Sequence, residues 1–258
     1  MRKIHPVQGP DLPVTPRVTP GPTPAGVAEL ASYYGNGAGG GTAFLRANMV
    51  ASADGAASLD GRSGGLSGPA DQMLFTVLRS LADLILVGAG TVRTERYRPV
   101  QASSIWAGLR PAGAPVPAIA IVSGRLDLDP DSKLLTAAAP DAQTIVITTA
   151  SAPPEQRAAI AEHAHVIDVG QDKIDFGAAL AALRELGYAS ILTEGGPALL
   201  GHLVAANLLD ELCLTTSPVL AGGSADRITV TAAGPASPLS LVHVLHDDGF
   251  LFSRYSRE

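Results

Sequence analysis

Short, almost wholly apolar runs alternate with helix-forming stretches through most of this chain, and this alternation constrains its fold more than any other feature. Four of the runs cover residues 84–87, 119–122, 144–148 and 190–193, and each contains β-branched residues. A run that is apolar on both strand faces is typical of a buried parallel strand, which a helix must connect to the next strand. The sequence therefore predicts an α/β fold with a mostly parallel sheet and helices on both faces.

The C-terminal part of the chain departs from this alternation. Residues 241–246 and 250–255 are two strand-like segments, and Asp247-Asp248-Gly249 joins them. Asp-Gly is a preferred turn in two-residue hairpins. We therefore expect a mixed sheet that ends in an antiparallel hairpin.

The first 42 residues differ in composition from the rest. Seven prolines lie between Pro6 and Pro24, and Gly39-Gly40-Gly41 follows. Such a segment buries little apolar surface, so we expect a partly extended N-terminal arm over residues 1–42 and a globular domain over residues 43–258. Residues 27–34 form a candidate short helix within the arm, and part of the arm is expected either to stay extended or to wrap a partner subunit.

Charge and cysteine content exclude several classes of function. The net charge is −6 and only 16% of residues are charged, so the chain lacks the basic surface of a general nucleic-acid binder. Nor does it contain the roughly 20 consecutive apolar residues that cross a bilayer. Cys213 is the only cysteine, which excludes an internal disulfide and a cysteine metal cage. We expect a cytoplasmic protein without a metal.

The strongest local motif is Thr193-Glu194-Gly195-Gly196-Pro197, where a buried strand ends and a helix begins at once. Glycines let the backbone approach a ligand, and the free N–H groups of a helix start favour a phosphate. Glu194 follows the strand's carboxyl end, where ligands bind in parallel sheets. The alternative is a tight strand-to-helix turn without a ligand.

A second glycine pair occurs in Gly88-Ala89-Gly90-Thr91, after the apolar run at residues 84–87. The segment matches the dinucleotide-binding fingerprint poorly, because Arg93 stands where the third glycine belongs and no acidic residue follows at the required distance. A classical Rossmann fold is therefore not predicted, although this turn is a candidate for contact with a cofactor.

A third motif is Asp54-Gly55, which follows the strand predicted over residues 44–50 and its Asn48. One interpretation is a simple β-turn, since Asp-Gly is common in turns. The other is a carboxylate and an amide that bind a polar heterocycle. Downstream, Ser67 is expected to cap a helix that begins at Pro69.

Taken together, these motifs resemble the pyrimidine reductase family of riboflavin biosynthesis, the reductase half of the bifunctional riboflavin deaminase/reductase. The matching motifs, in order, are Ser52-Ala53-Asp54-Gly55, Ser67-Gly68, the segment 87–92, the segment 194–199, Asp210-Glu211 and the segment 218–223. Their order and spacing match over residues 44–255. The resemblance implies a dihydrofolate-reductase-like fold and a homodimer.

The resemblance also implies a reaction, the NADPH-dependent reduction of the ribosyl group of 5-amino-6-(5-phosphoribosylamino)uracil to a ribityl chain. Asp54 and Glu194 would be the catalytic residues, and Asn48, Ser67, Glu95 and Arg96 would contact the substrate. The residues expected to hold the cofactor are Gly88, Gly90, Thr91, Ser123, Gly195, Gly196, Pro197, Ala198, Leu199 and Leu200. Arg125, close to Ser123, is a candidate partner for the 2′-phosphate of NADPH.

The chain also departs from the family pattern at two places. Many bifunctional members have a lysine where Asn48 stands, and Glu95-Arg96-Tyr97 replaces the family's Asp-Asp-Pro. Arg93, Arg96 and Arg98 are candidates for binding the substrate's phosphate. The departures leave two alternatives open: a related reductase of another pteridine or pyrimidine such as dihydrofolate, or a non-catalytic nucleotide-binding protein.

Overall fold

A computed structural model describes residues 2–5, 23–35, 44–230 and 236–257. All ten strands of the described chain lie in a single sheet. They are β1 Arg2–His5, β2 Phe44–Ser52, β3 Leu84–Gly88, β4 Ala118–Val122, β5 Ile145–Thr148, β6 His165–Asp168, β7 Ser190–Thr193, β8 Glu211–Ser217, β9 Ser240–Asp247 and β10 Phe250–Ser256. The α-helices are α1 Pro24–Tyr34, α2 Pro69–Ser80, α3 Ala89–Glu95, α4 Lys133–Thr136, α5 Pro154–Ala161, α6 Phe176–Glu185 and α7 Pro197–Ala205.

The sheet has a parallel part and an antiparallel part. Its strand order is β1-β9-β10-β8-β2-β7-β3-β4-β5-β6. The seven strands from β8 to β6 run parallel, while β10, β9 and β1 pair antiparallel at the other end. The predicted fold class is therefore confirmed, including the hairpin. Asp248 and Gly249 form its turn with positive φ angles of 46° and 81°, as a type I′ turn requires.

Helices cover both faces of the sheet because the parallel strands are apolar on both sides. On one face, Leu183 of α6 and Leu203 of α7 are fully buried against the strands. On the other face, the strands pack against α1 and α2 at one end and against α4 and α5 at the other. The core thus holds the strand ends of the sheet's centre in fixed positions, and the functional site is built there.

Two local predictions differ from the structure. The segment after β3 was expected to be a turn, but Ala89–Glu95 is a helix of seven residues, too short for its apolar periodicity to show in the sequence. Ser67 does not cap α2: the N-cap residue is Gly68, and no side chain caps it. The Ser67 hydroxyl donates instead to the Asp71 carboxylate at 2.6 Å. Pro69 does occupy the first turn, as predicted.

Helix α1 confirms the short helix expected in the N-terminal arm, and two distant arginines bind its C-terminal end. Arg46 donates to the Tyr34 carbonyl and Arg254 to the Tyr33 carbonyl, both at 2.6 Å. Glu211 forms ion pairs with both guanidinium groups. Cations at a helix C-terminus satisfy its free carbonyls and its dipole. Residues 2–5 of the predicted arm form strand β1, and its residues 1, 6–22 and 36–42 lie outside the described residues.

Within the described ranges, no helix has the length and apolar character needed to cross a membrane.

Candidate active site

Three adjoining cavities form one crevice at the carboxyl ends of the central parallel strands, where ligands bind in sheets of this kind. Their volumes are about 630, 400 and 310 Å³. We call them the large, central and outer cavities. Thr91 and Glu194 line both the large and the central cavity, and Gly90 and Leu199 line both the central and the outer cavity. A ligand with two or three parts can therefore occupy the crevice without interruption.

The Gly195-Gly196 turn, whose peptide bond is cis, joins β7 to α7 and packs directly against the start of helix α3. Gly195 has a φ of +77°, a conformation that favours glycine. The Gly88 N–H donates to the Gly195 carbonyl at 2.8 Å. A Cβ atom on Gly196 would lie 2.5 Å from the Thr91 hydroxyl. Both glycines are therefore required for the close approach of this turn to the start of α3.

The start of helix α7 offers unpaired amide groups to the crevice. Its N-cap, Gly196, supplies no side chain, and Pro197 follows as the first helical residue. No hydrogen bond from the amide of Ala198 or Leu199 occurs within the described chain, and both residues line the central and outer cavities. Free amides and the helix dipole together favour an anionic group here.

The outer cavity combines a stacked aromatic pair with free polar groups. His202 stacks on Phe176 with ring centroids 5.4 Å apart, and Ser123 and Arg125 line the same cavity. Among the described residues, no carboxylate lies within ion-pair distance of Arg125, whereas Arg93 pairs with Asp127 at 3.2 Å. Arg125 is therefore available to an anionic ligand, and Arg93 lies in this cavity, apart from Arg96 and Arg98 in the large one.

Glu194 lies at the junction of the large and central cavities, and its carboxylate is held by two residues. The Nε and Nη2 atoms of Arg79 each donate to one carboxylate oxygen at 2.7 Å, and the Tyr97 hydroxyl donates to Oε2 at 2.6 Å. The Arg79 guanidinium stacks on the Phe75 ring, 4.2 Å from its centroid. Burial raises the pKa of Tyr97 well above its ordinary value, and the Glu194 charge raises it further. Tyr97 therefore stays protonated, and its hydroxyl is the donor in the hydrogen bond to Glu194.

Three further residues in the wall of the large cavity present hydrogen-bond acceptors. The Asn48 Oδ1 atom is buried without a partner. The Asp71 side chain is buried, with 8% of its residue surface exposed. Within the described chain, its carboxylate accepts a hydrogen bond only from the Ser67 hydroxyl and forms no ion pair. Glu95 accepts the Ser63 amide and hydroxyl, both at 2.9 Å. A ligand that presents N–H groups suits this wall.

Asp54 binds a neighbouring loop. Its carboxylate accepts the amides of Ala221 at 3.0 Å and Gly222 at 2.7 Å, and also the Ser52 hydroxyl. These hydrogen bonds, with Ser52 first, lower the pKa of Asp54 to about 2. Asp54 is not among the described residues that line the three cavities. The loop it holds leads to Asp226, which lines the central cavity.

The structure brings most of the predicted site residues into this crevice. Asn48, Ser67, Glu95, Arg96 and Glu194 line the large cavity; Gly88, Gly90, Thr91, Gly196, Pro197, Ala198 and Leu199 line the central one; Ser123 lines the outer one. Leu200 is buried in the core instead. Gly195 helps to hold the two segments together, because its carbonyl accepts a hydrogen bond from the Gly88 N–H. No group of three or more His, Cys, Asp or Glu suited to a metal occurs in the described ranges.

Among the residues of the large cavity that sequence reasoning missed, four bear on its chemistry: Asp71, Phe75, Arg79 and Tyr97. A buried glutamate needs a cation, so Glu194 did indicate that an arginine or lysine lies near it. The chain contains 18 lysines and arginines, and nothing local distinguishes Arg79 from the others. Only the packing of α2 beside β7 identifies it.

Comparison with known proteins finds the same family along most of the chain. The model of the RibD C-terminal domain family matches residues 43–249. Two similar proteins are 2,5-diamino-6-ribosylamino-4(3H)-pyrimidinone 5′-phosphate reductases. That of Archaeoglobus fulgidus is 28% identical, over 70% of this chain and 82% of its own length, and that of Aquifex aeolicus is 32% identical, over 65% and 70%. A pyrimidine reductase-like protein from Corynebacterium diphtheriae has a similar structure, with a TM-score of 0.75, 26% identity, and coverage of 84% of this chain and 92% of its own.

Proposed function

This chain belongs to the RibD C-terminal domain family, and we propose that it uses NADPH to reduce the ribosyl group of a ribosylaminopyrimidine 5′-phosphate to a ribityl chain in riboflavin biosynthesis. The observation that carries the proposal is the continuous crevice between the free amides of Ala198 and Leu199 and the fixed carboxylate of Glu194. One end suits a diphosphate, and the other suits a sugar and a nitrogen-rich ring.

The residues present fit a dinucleotide. The α7 amides would bind the diphosphate, and Gly90, where an added Cβ would meet no atom within 4 Å, leaves room for its close approach. Ser123 and Arg125, which has no carboxylate partner in the described part of the chain, would hold a 2′-phosphate, which favours NADPH over NADH. When bound, the nicotinamide would supply a hydride to the sugar's C1′ as the C1′–O4′ bond breaks, and O4′ would take up a proton from solvent.

The protein's own task is to bind and orient the sugar beside that cofactor. Glu194, at the junction of the large and central cavities, would accept a hydrogen bond from a hydroxyl group of the sugar. Arg96 and Arg98, exposed at the large cavity, would bind the 5′-phosphate. The predicted catalytic role of Asp54 stays a proposal, in which Asp54 acts by holding the loop that carries Asp226.

The pyrimidine ring would lie against Asn48 and Asp71. The sequence resemblance implies the uracil, whose ring edge presents N3–H beside the C2 carbonyl. The Archaeoglobus and Aquifex relatives are named for the 2,5-diamino ring, whose edge presents N3–H beside an amino group. A carboxylate accepts two adjacent donors but repels a carbonyl. Asp71 therefore favours the diamino ring as the substrate.

An NADPH oxidation assay with the purified protein tests this function. We expect turnover with the diamino and the uracil substrate and none with dihydrofolate. Faster oxidation with dihydrofolate would reassign the chain to another reductase, and tight NADPH binding without turnover on any of the three would make it a nucleotide-binding protein.

The preference for NADPH has its own test. Arg125→Ala should reduce the ratio of kcat/KM for NADPH over NADH by about 10-fold or more, because a hydrogen bond to a charged group contributes about 1.5–3 kcal/mol. Arg184→Ala, in the last turn of α6 and outside the three cavities, is the matched control and should leave the ratio unchanged. An unchanged ratio in Arg125→Ala would remove Arg125 from cofactor recognition.

We also propose a homodimer, which the resemblance to the family implies, and a cytoplasmic location, which the single cysteine and the lack of a long apolar run favour. The apolar side chains of Leu239 and Leu251, 36% and 37% exposed at the antiparallel end of the sheet, support a contact between two copies. Light scattering at micromolar concentration should give twice the chain mass, and the mass of a single chain would contradict the dimer.

A further inference from the structure

Glu194 is the acidic group that lies between the large and central cavities, and the acceptor capacity of its carboxylate is almost fully used. An ionised carboxylate has about four acceptor positions, two on each oxygen. Oε2 accepts hydrogen bonds from both the Arg79 Nη2 and the Tyr97 hydroxyl, while Oε1, among the described residues, accepts one only from the Arg79 Nε. One acceptor position, on Oε1, therefore remains.

The two residues that hold Glu194 are themselves fixed. Arg79 lies in the last turn of α2, and its guanidinium stacks on Phe75 and lies 5.8 Å from the Tyr97 ring centroid. Tyr97 follows α3, after Arg96 in the left-handed conformation at φ +55°. The carboxylate is thus bound from two separate elements, and all three residues line the large cavity.

We propose that Arg79 and Tyr97 are positioning residues for the reduction: they orient Glu194 so that its one remaining acceptor position meets a hydroxyl of the substrate's sugar. The inference rests on the proposed function for the identity of that substrate. Misplacing a sugar by a fraction of a bond length lowers the rate of hydride transfer more than it weakens binding.

Conservative variants test the proposal kinetically. Tyr97→Phe removes only the hydroxyl, and Arg79→Lys keeps the charge but not the paired geometry. We expect kcat to fall about 10-fold in the first and about 100-fold in the second, with less than about a 3-fold change in the substrate KM. Tyr188→Phe and Arg157→Lys, outside the cavities, are the matched controls and should keep wild-type kinetics.

A double-mutant cycle separates positioning from other roles. In a Glu194→Ala background, Tyr97→Phe should change kcat by less than about 2-fold, because the residue that it orients is gone. The same loss in both backgrounds would show that Tyr97 acts on the substrate directly or only on the fold, and would overturn the proposal.

Crystal structures of the two single variants give a readout that does not depend on turnover. The Glu194 carboxylate should rotate away in Arg79→Lys and should lose its fixed position in Tyr97→Phe. A carboxylate that stays in place in both variants would overturn the proposal, whether or not the reductase assay succeeds. Absence of turnover in the wild type together with a displaced carboxylate in the variants would reject the substrate assignment alone and uphold the orienting contacts.

Discussion

The Arg79 guanidinium and the Glu194 carboxylate form two parallel hydrogen bonds of 2.7 Å across 115 residues of sequence. The pair joins the last turn of α2 to the end of β7 and lies in the wall of the large cavity. Bidentate pairing fixes the orientation of both groups. The site therefore contains a negative charge whose place is set before any substrate arrives, as pre-organised catalysis requires.

Replacing Glu194 with glutamine should separate its effect on the reaction from its effect on the fold. Glu194→Gln should lower kcat at least about 100-fold, as loss of a pre-organised charged contact does. It should also lower the free energy of unfolding by about 1–3 kcal/mol, because Arg79 loses its charged partner. Steady-state kinetics and urea denaturation measure the two effects, with Glu185→Gln, an exposed residue at the end of α6, as the control. An unchanged kcat would remove Glu194 from the mechanism.

Replacing Asp71 with asparagine should change which ring the protein prefers. The amide of Asp71→Asn presents one acceptor and one donor, which matches the N3–H and C2 carbonyl of the uracil. We expect the ratio of kcat/KM for the diamino over the uracil substrate to fall by about 10-fold to 100-fold. Asp172→Asn, on the surface, is the control. If both substrates lose rate equally, Asp71 does not read this ring edge.

A methyl group on Gly196 should disturb the cofactor site through Thr91. Gly196→Ala forces the Thr91 hydroxyl to move, since a Cβ would lie 2.5 Å from it. Overpacking costs about 1–3 kcal/mol, so NADPH should bind about 10-fold more weakly. Adding Thr91→Ala should restore part of the affinity, because the next Thr91 atom lies at 3.9 Å. Fluorescence titration measures this, with Gly177→Ala in α6 as control; full affinity in Gly196→Ala would contradict the close approach.

The contribution of Asp54 should depend on pH in a defined direction. Its pKa in the folded protein is about 2, below the ordinary 3.8, so its hydrogen bonds stabilise the loop fully above pH 3.8 and are lost as the pH falls toward 2. The difference in urea midpoint between wild type and Asp54→Asn should be constant from about pH 7 to pH 5 and shrink below about pH 4. A difference that grows on acidification would show that the ionised carboxylate does not stabilise the fold.

The architecture and most of the crevice follow from local patterns. Apolar runs at residues 84–87 and 190–193 predict buried strands, Asp248-Gly249 predicts the hairpin turn, and Gly195-Gly196 predicts a close backbone approach. Each of these depends on residues adjacent in sequence, so the sequence alone is sufficient. The short helix α3 was not predicted, because its seven residues make only two turns and show no clear apolar periodicity.

The sequence by itself determined the fold class, the hairpin, and which strand end carries an acidic residue and a glycine pair. Only the tertiary structure decided that Arg79 and Tyr97 hold Glu194, that Asp54 holds the loop at Ala221 and Gly222, and that Asp71 lines the large cavity. The physical reason is that periodicity and turn chemistry act between neighbours along the chain. Ion pairs and buried hydrogen bonds act between groups that packing brings together, and many residues of the same type compete for each role in the sequence.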